Sequence, residues 1–222
     1  ERSLQADLAL ALTLDIQRSL REDLKILIMS ATIETGPIAL LLGGAPVVTA
    51  TGDAFPVAVH FLVEDGWRRS RGEVWKDRLV AAVRTALRDT TGDILIFLPG
   101  AGEIHQAVAS LKDVIAGREK PVSLHPLYGD LPFAEQERAI MPGAERKIVL
   151  ATNIAETSLT IEGVRVVIDG GQVRRLQYDP ATGMNRLVTV TTSRASAIQR
   201  QGRAGRLGPG TCYRLYSRQV YD

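Results

Sequence analysis

The 222-residue sequence has few of the residues on which several classes of protein depend. Its single cysteine, Cys212, excludes an intramolecular disulfide and fits a reducing compartment. The three histidines, His60, His105 and His125, lack the spacing of metal ligands. No apolar run approaches the length of a membrane span, and the polar, acidic beginning lacks a signal-peptide pattern. We therefore expect a cytoplasmic protein with no metal site of its own and no membrane partner.

Two elements of nucleotide chemistry are also absent. No Gly-x-x-x-x-Gly-Lys-Ser/Thr pattern occurs, so no loop of this sequence is expected to hold a triphosphate. No acidic pair follows a strand in the place that Mg²⁺ binding and water activation require. We therefore expect that the 222-residue chain by itself hydrolyses no nucleotide.

The net charge is only +2, but arginine is concentrated in one part of the chain. Residues 165–218 contain ten arginines and two aspartates, which gives this stretch a charge of +8 and leaves −6 for the rest. Clustered arginine is typical of phosphate-binding surfaces. We expect about half of these arginines to be solvated or paired with acidic residues elsewhere, as surface charges commonly are.

Apolar, β-branched runs alternate with helical patterns over most of the chain. Strands are predicted at residues 94–98, 122–127, 148–150 and 164–169, and helices at residues 74–87, 103–115 and 133–140. This alternation is typical of an α/β fold with a doubly wound parallel sheet.

Two further patterns flank this alternation. Residues 173–178 and 186–191 are joined by turn-forming residues and predict a β-hairpin. Near the beginning, residues 4–20 predict a helix with Leu8 and Leu12 on its apolar face, and residues 24–29 predict a buried strand.

The segment 199–206 places two arginines one helical turn apart behind a glutamine. Arg203 and Arg206 are spaced to share a face of a helix, and each carries a permanent charge with a planar set of donors. Such an edge suits phosphate, although an Arg-x-x-Arg pair alone is more often a solvated helix end. Two other segments favour the phosphate-binding interpretation over a solvated helix end.

The first of these segments is a polar loop, residues 152–163, between two predicted strands. The second is residues 30–32, Ser-Ala-Thr, directly after the predicted strand 24–29. Polar residues at strand ends are where an open α/β sheet presents a site. Ser and Thr in such places also serve as plain helix caps.

Taken in this order, the segments resemble the later motifs of DEAH-box RNA helicases. Residues 30–32 are similar to motif III, residues 94–100 to motif IV, residues 152–163 to motif V and residues 199–206 to motif VI, while residues 1–7 are similar to those that follow the DEAH tetrad. The sequences of these segments look most like those of the bacterial HrpB-type branch of the family.

The resemblance implies a division of the chain. Residues 1–50 would be the C-terminal remnant of a first RecA-like domain, residues 51–56 a linker, and residues 57–222 the second RecA-like domain. The half of the motor that carries the phosphate loop would lie outside this sequence.

The resemblance also implies roles at a nucleotide site. Arg203 and Arg206 would be arginine fingers that reach the γ-phosphate of ATP, which the first domain would hold together with Mg²⁺, and Gln199 would lie near the attacking water or phosphate. Thr160 and Glu162 match positions that approach the ribose. Most relatives have Asp in place of Glu162, so this contact departs from the family pattern.

Ile140 occupies the place where many relatives use Phe to stack on the base. The adenine would then be held by apolar contact alone, which predicts weak nucleotide selectivity. Ser30 and Thr32 would link the nucleotide state to domain closure, and as plain caps they would look the same.

For RNA, the resemblance points to Gly100, Thr152 and Asn153, together with Arg174 and Arg175 of the predicted hairpin. Backbone amides, short polar groups and arginines of this kind fix the position of a strand without reading its sequence. A structural alternative exists for three of them: Gly100 as a turn residue, and Thr152 and Asn153 as caps.

The function implied by the resemblance is that of the C-terminal motor domain of an ATP-dependent RNA helicase, acting on single-stranded or structured RNA. A non-catalytic nucleic-acid-binding module and a DNA helicase are the alternatives. The complete segment 199–206 argues against the first, because a binding module does not need its glutamine and arginines together. The amino-acid sequence of residues 152–158 argues against a DNA helicase.

Overall fold

The computed structural model describes residues 4–29, 35–49, 55–62, 74–156 and 159–221. The chain divides into two compact units, Glu1–Gly52 and Asp53–Asp222. The described helices are Leu4–Ser19 (α1), Thr35–Leu41 (α2), Val74–Asp89 (α3), Ala101–Ile115 (α4), Phe133–Ile140 (α5), Arg194–Gly202 (α6) and Arg218–Tyr221 (α7). The described strands are Val57–Phe61 (β1), Asp93–Phe97 (β2), Val122–Leu127 (β3), Arg146–Ala151 (β4), Val164–Asp169 (β5), Gln172–Asp179 (β6), Met184–Thr191 (β7) and Gly210–Arg214 (β8).

The second unit is built on a six-stranded sheet in the order β1-β8-β5-β2-β4-β3. All its strand pairs are parallel. The central strands β2, β4 and β5 are almost wholly buried, which is why each contains an apolar run of three or more residues rather than an alternating pattern. The predicted strands of this region are confirmed.

Helices cover both faces of this sheet. Ile94 and Ile96 of β2 face a core formed with α3 and α4. Leu95 and Phe97 face the opposite core, which includes a residue of α5 and one of the 3₁₀ turn Arg203–Gly205 that follows α6. The predicted doubly wound α/β architecture is confirmed.

The carboxyl ends of the three central strands lie side by side. In register, Phe97 at the end of β2 is opposite Ala151 of β4 on one side and Asp169 of β5 on the other. The residues that follow these strands, Gly100 and Thr152 among them, therefore lie along one edge of the sheet. This is the edge at which open α/β sheets bind ligands.

The predicted hairpin is also confirmed, as the antiparallel pair β6-β7. Its turn is closed by the Asp179 side chain, which accepts a hydrogen bond from the Ala181 amide at 3.0 Å, and by Gly183, whose φ of 66° favours glycine. Successive side chains of a strand point to opposite faces. Arg174 and Arg175 therefore lie on opposite faces of the hairpin.

The first unit contains α1, which confirms the helix predicted at residues 4–20, and the short helix α2. The predicted strand at residues 24–29 is wrong: these residues form no strand, and none of them is fully buried. A parallel strand needs neighbours to satisfy its backbone groups, and the described residues of this unit, 4–29 and 35–49, supply none.

The apolar face of α1 is uncovered as well. Leu8 and Leu12 are 58% and 56% exposed, and Leu14 is the buried residue of this helix. An apolar stripe of this kind normally packs against a core. Throughout the described ranges, no helix combines the length and the apolarity needed to cross a membrane.

Candidate nucleotide and RNA site

The loop between β4 and β5 connects the two groups of predicted site residues. It leaves β4 at Thr152, whose amide donates to the carbonyl of Leu127 at 3.2 Å, and continues into a 3₁₀ turn, Asn153–Ala155. It re-enters the sheet after Gly163, whose φ of 83° suits a residue without a Cβ. The loop therefore carries the predicted RNA residues at its beginning and the predicted nucleotide residues near its end.

Arg203 is bound to the middle of this loop. Its Nε donates to the carbonyl of Glu156 at 2.8 Å, Nη2 donates to the same carbonyl, and Nη1 donates to the carbonyl of Leu159. The side chain is buried, and burial together with the nearby charge of Arg206 lowers its pKa to about 10, against the opposing effect of Glu156. Arg203 therefore keeps its charge at neutral pH.

Arg206 reaches the same loop from an exposed position. Its Nη1 donates to the hydroxyl of Thr160 at 2.9 Å, and both side chains are exposed. Helix α6 ends at Gly202, so the expected continuous helix is replaced by the 3₁₀ turn. The three-residue period of a 3₁₀ turn still keeps residues three apart on one side, and the two arginines contact the loop at Glu156, Leu159 and Thr160.

The other predicted nucleotide residues lie around this pair. Glu162 is exposed on the loop, and Gln199 is half-buried on α6, one turn before Arg203. Ile140 ends α5, where it packs against the same core as Ile161.

A buried lysine fixes the position of Ile140. Lys147 Nζ donates to the carbonyls of Ala139 and Met141, at 3.1 and 2.6 Å, on either side of Ile140. Burial lowers the pKa of Lys147, partly offset by Asp93. Sequence reasoning missed this lysine.

The predicted RNA residues gather at the carboxyl edge of the sheet. Gly100 is buried at the start of α4, and the Arg174 guanidinium lies so close to it that an added Cβ would come within 2.8 Å of that group. Arg174 Nη2 also pairs with Glu103 at 3.2 Å. Thr152 and Asn153 follow the neighbouring strand, and the Thr152 side chain makes no capping hydrogen bond.

Arg175 is not brought to this group, because it lies on the other face of the hairpin. It is exposed, and it pairs in register with Val188 of β7. Ser30 and Thr32 lie outside the described residues, as do residues 51–54 of the predicted linker.

Sequence reasoning missed a buried ionic network under the site. Arg200 is 1% exposed and donates from Nε to Glu156 and from Nη1 to Asp169, each at 2.9 Å. Burial alone would lower the pKa of Arg200, but the two carboxylates outweigh it and raise the pKa. Tyr216 donates to the other oxygen of Asp169 at 2.9 Å.

One sequence signal could have revealed this network. Ala197, Arg200 and Ala204 are buried at helical spacing, so Arg200 occupies a core-facing position. An arginine at such a position requires acidic partners.

The donors collected here suit an anionic ligand. Arg206 and Thr160 offer a guanidinium and a hydroxyl at the surface, which fit phosphate and sugar oxygens. Among the residues that the structure describes, no group of three His, Cys, Asp or Glu side chains is arranged to hold a metal ion. The residues present thus fit a triphosphate better than they fit the Mg²⁺ that accompanies it.

Comparisons with known proteins agree with this geometry. The family described as "Helicase conserved C-terminal domain" matches residues 76–208. The chain is 48% identical over 221 residues to "ATP-dependent RNA helicase HrpB" of Escherichia coli strain K12, and 40% identical over 224 residues to "ATP-dependent RNA helicase HrpA" of Borreliella burgdorferi. These alignments cover 99% and 100% of this chain.

Solved structures give the same result. A crystal structure of the E. coli DExH-box NTPase HrpB matches with a TM-score of 0.84 and 47% identity, covering 99% of this chain and 26% of that chain. The chain spans about a quarter of the length of the relatives it matches, 26% and 27% of the two helicases. The expected RecA-like fold and the resemblance to HrpB-type helicases are confirmed.

Proposed function

The chain belongs to the helicase conserved C-terminal domain family, and from this premise we propose that it is the C-terminal motor domain of an ATP-dependent RNA helicase. The longer protein would couple ATP hydrolysis to translocation on, or unwinding of, single-stranded or structured RNA. The observation that carries the proposal is the contact of Arg206 with Thr160, 2.9 Å apart and exposed, beside Arg203. Arginine and hydroxyl donors at one surface are what the phosphates and ribose of a nucleotide need.

The nucleotide site would be shared with a first RecA-like domain. That domain would supply the phosphate loop and the acidic ligands of Mg²⁺, and this chain would add positive charge to the far side of the γ-phosphate. The first unit fits a remnant of that domain, since the exposed stripe of α1 at Leu8 and Leu12 would be covered by the rest of its core. Motif III, at Ser30 and Thr32, would belong to the same remnant.

The chemical contribution of this chain would be electrostatic. Arg203 and Arg206 would stabilise the charge that develops on the transferred phosphoryl group, and Gln199 would orient the attacking water. Thr160 and Glu162 would hold the ribose. Bound ATP and Mg²⁺ supply the reactive phosphate and its charge neutralisation.

The RNA strand would follow the carboxyl edge of the sheet. Gly100, Thr152 and Asn153 follow the ends of adjacent strands, so a sugar-phosphate backbone along this edge would pass all three. Arg174 lies against Gly100 and would exchange Glu103 for a phosphate. Arg175 lies on the opposite face of the hairpin, so a strand on this path would not reach it.

Hydrolysis assays on two forms of the protein test the proposal. The longer protein is expected to hydrolyse ATP in a reaction that single-stranded RNA accelerates, and the 222-residue chain is expected to show no turnover. The control is the same chain with Arg206→Ala, purified in parallel to report contaminating ATPases. Turnover in the unaltered chain above that control would show that no phosphate loop is needed, which contradicts the proposal.

The same assay separates the alternatives. Stimulation by single-stranded DNA but not by RNA would identify a DNA helicase. A longer protein that binds RNA and hydrolyses nothing would identify a non-catalytic binding module.

A further inference from the structure

Glu156 lies between the two halves of the proposed site. It comes three residues after Asn153 and four before Thr160 on the same loop. Its side chain is 5% exposed, so it is not available to a ligand. Its contacts show what it holds instead.

Helix α6 and its C-terminal turn bind both the side chain and the main chain of Glu156. The carboxylate accepts hydrogen bonds from Ser196 Oγ and, at 2.9 Å, from Arg200 Nε. The main-chain carbonyl accepts from Arg203 Nε at 2.8 Å. The loop and the arginine-bearing segment are therefore joined through one residue.

The same segment is anchored to the sheet edge. Arg200 Nη1 donates to Asp169 Oδ1 at 2.9 Å, and the Gly171 amide donates to that oxygen at 2.9 Å. Tyr216 donates to Asp169 Oδ2 at 2.9 Å. Asp169 ends β5, next to the strand ends where Gly100 and Thr152 lie.

We propose that Glu156 and Arg200 are positioning residues through which RNA bound at Thr152 and Asn153 sets the position of Arg203 for ATP hydrolysis. This inference rests on the proposed function. We call Glu156, Ser196 and Arg200 the loop clamp.

The physical reason lies in the strength and direction of the clamp's bonds. Charge-assisted hydrogen bonds between buried groups are strong and geometrically specific, and no water replaces them when they stretch. A shift of the loop at Thr152 therefore moves α6, and with it Arg203, rather than breaking the contact. Arg200 and Glu156 are buried away from both proposed ligands, so their effect would pass through Arg203.

The test is the stimulation ratio of the longer protein: kcat with saturating single-stranded RNA divided by kcat without RNA. Glu156→Gln keeps the shape of the side chain but removes its charge, and we expect the ratio to fall about tenfold. Arg200→Lys is expected to lower it as well, because one ammonium cannot bridge two carboxylates with the geometry of a guanidinium. A merely structural role would lower both rates together through the folded fraction, and the ratio would not change.

Arg146→Lys is the matched control. Arg146 is half-buried and donates to the carbonyls of Gly92 and Thr90, at 2.6 and 2.9 Å, away from the loop. We expect it to lower the melting temperature while leaving the ratio unchanged. If Glu156→Gln does not fold, Ser196→Ala removes one bond of the clamp and is expected to lower the ratio about threefold.

The outcomes separate this inference from the proposed function. A ratio unchanged in Glu156→Gln, or in Ser196→Ala where the former does not fold, overturns the loop clamp and leaves the helicase proposal standing. A parent protein that hydrolyses ATP without RNA stimulation also overturns the clamp alone. A parent protein without any ATP hydrolysis overturns both.

Discussion

The different environments of Arg203 and Arg206 predict that their removal has the same effect on catalysis but different effects on stability. Arg203 is 5% exposed and donates to two loop carbonyls, whereas Arg206 is exposed and donates to one hydroxyl. Each would act on the γ-phosphate in the longer protein. Alanine variants of the two arginines therefore form a matched pair.

The magnitudes follow from these contacts. Hydrogen bonds from a charged donor contribute about 1.5–3 kcal/mol each, and part of this is recovered when the buried guanidinium is removed, so Arg203→Ala should lower the free energy of unfolding by about 2–4 kcal/mol. Arg206→Ala is a surface change and should stay within about 0.5 kcal/mol. Loss of an arginine finger should lower kcat by roughly 10³ in both variants.

Two measurements on the longer protein check this. Urea unfolding gives the change in stability, and steady-state ATP hydrolysis at a temperature where both variants are folded gives kcat and KM. The reasoning would be refuted if Arg206→Ala lost as much stability as Arg203→Ala. It would also be refuted if either variant hydrolysed ATP within about threefold of the parent, because a finger residue is worth far more than that.

Three further predictions concern RNA and the base. Arg174→Ala should lower the slope of log RNA affinity against log salt concentration by about one unit, the value for one phosphate contact. The same titration of Arg175→Ala, on the opposite face of the hairpin, should show no change in this slope if only one face of the hairpin meets the strand. Equal effects of the two variants would contradict the two-face geometry. Glu103→Gln should tighten RNA binding by up to about fivefold, because it frees Arg174 from an exposed ion pair worth at most about 1 kcal/mol. Fluorescence anisotropy measures this affinity. Weaker binding would mean that Glu103 aids the contact between Arg174 and RNA. Ile140→Phe should lower the KM for ATP by about fivefold through stacking worth roughly 1 kcal/mol. An unchanged KM would show that the base does not bind at Ile140.

The strands of the second unit could be predicted because their environment leaves a clear pattern. A parallel strand covered on both faces is largely apolar, as residues 94–97 of β2 and 166–168 of β5 are. The hairpin was equally predictable from its turn residues. The strand predicted at residues 24–29 has the same apolar pattern but no neighbouring strand in the described residues, so pattern alone was insufficient there.

Contacts between distant residues could not be predicted in the same way. Arg174 and Glu103 are 71 residues apart in sequence, and Arg200 and Glu156 are 44 apart. A single sequence shows that arginines are plentiful but not which acidic group each one meets. The positions of Gly100 and Thr152 were easier to predict, because both directly follow strands and strand ends meet at one edge.

The three arginines of the segment 199–206 show how regular spacing produces different roles. Arg200, Arg203 and Arg206 follow at intervals of three, but α6 gives way to the 3₁₀ turn between the first and the last. Arg200 is locked by two buried carboxylates, Arg203 by two carbonyls, and Arg206 by one exposed hydroxyl. The cost of exchanging these partners for a phosphate falls in the same order, because buried charged pairs are the most expensive to separate. Arg206 would therefore turn to a nucleotide most easily and Arg203 next, whereas Arg200 would stay in place to hold the loop on which both depend.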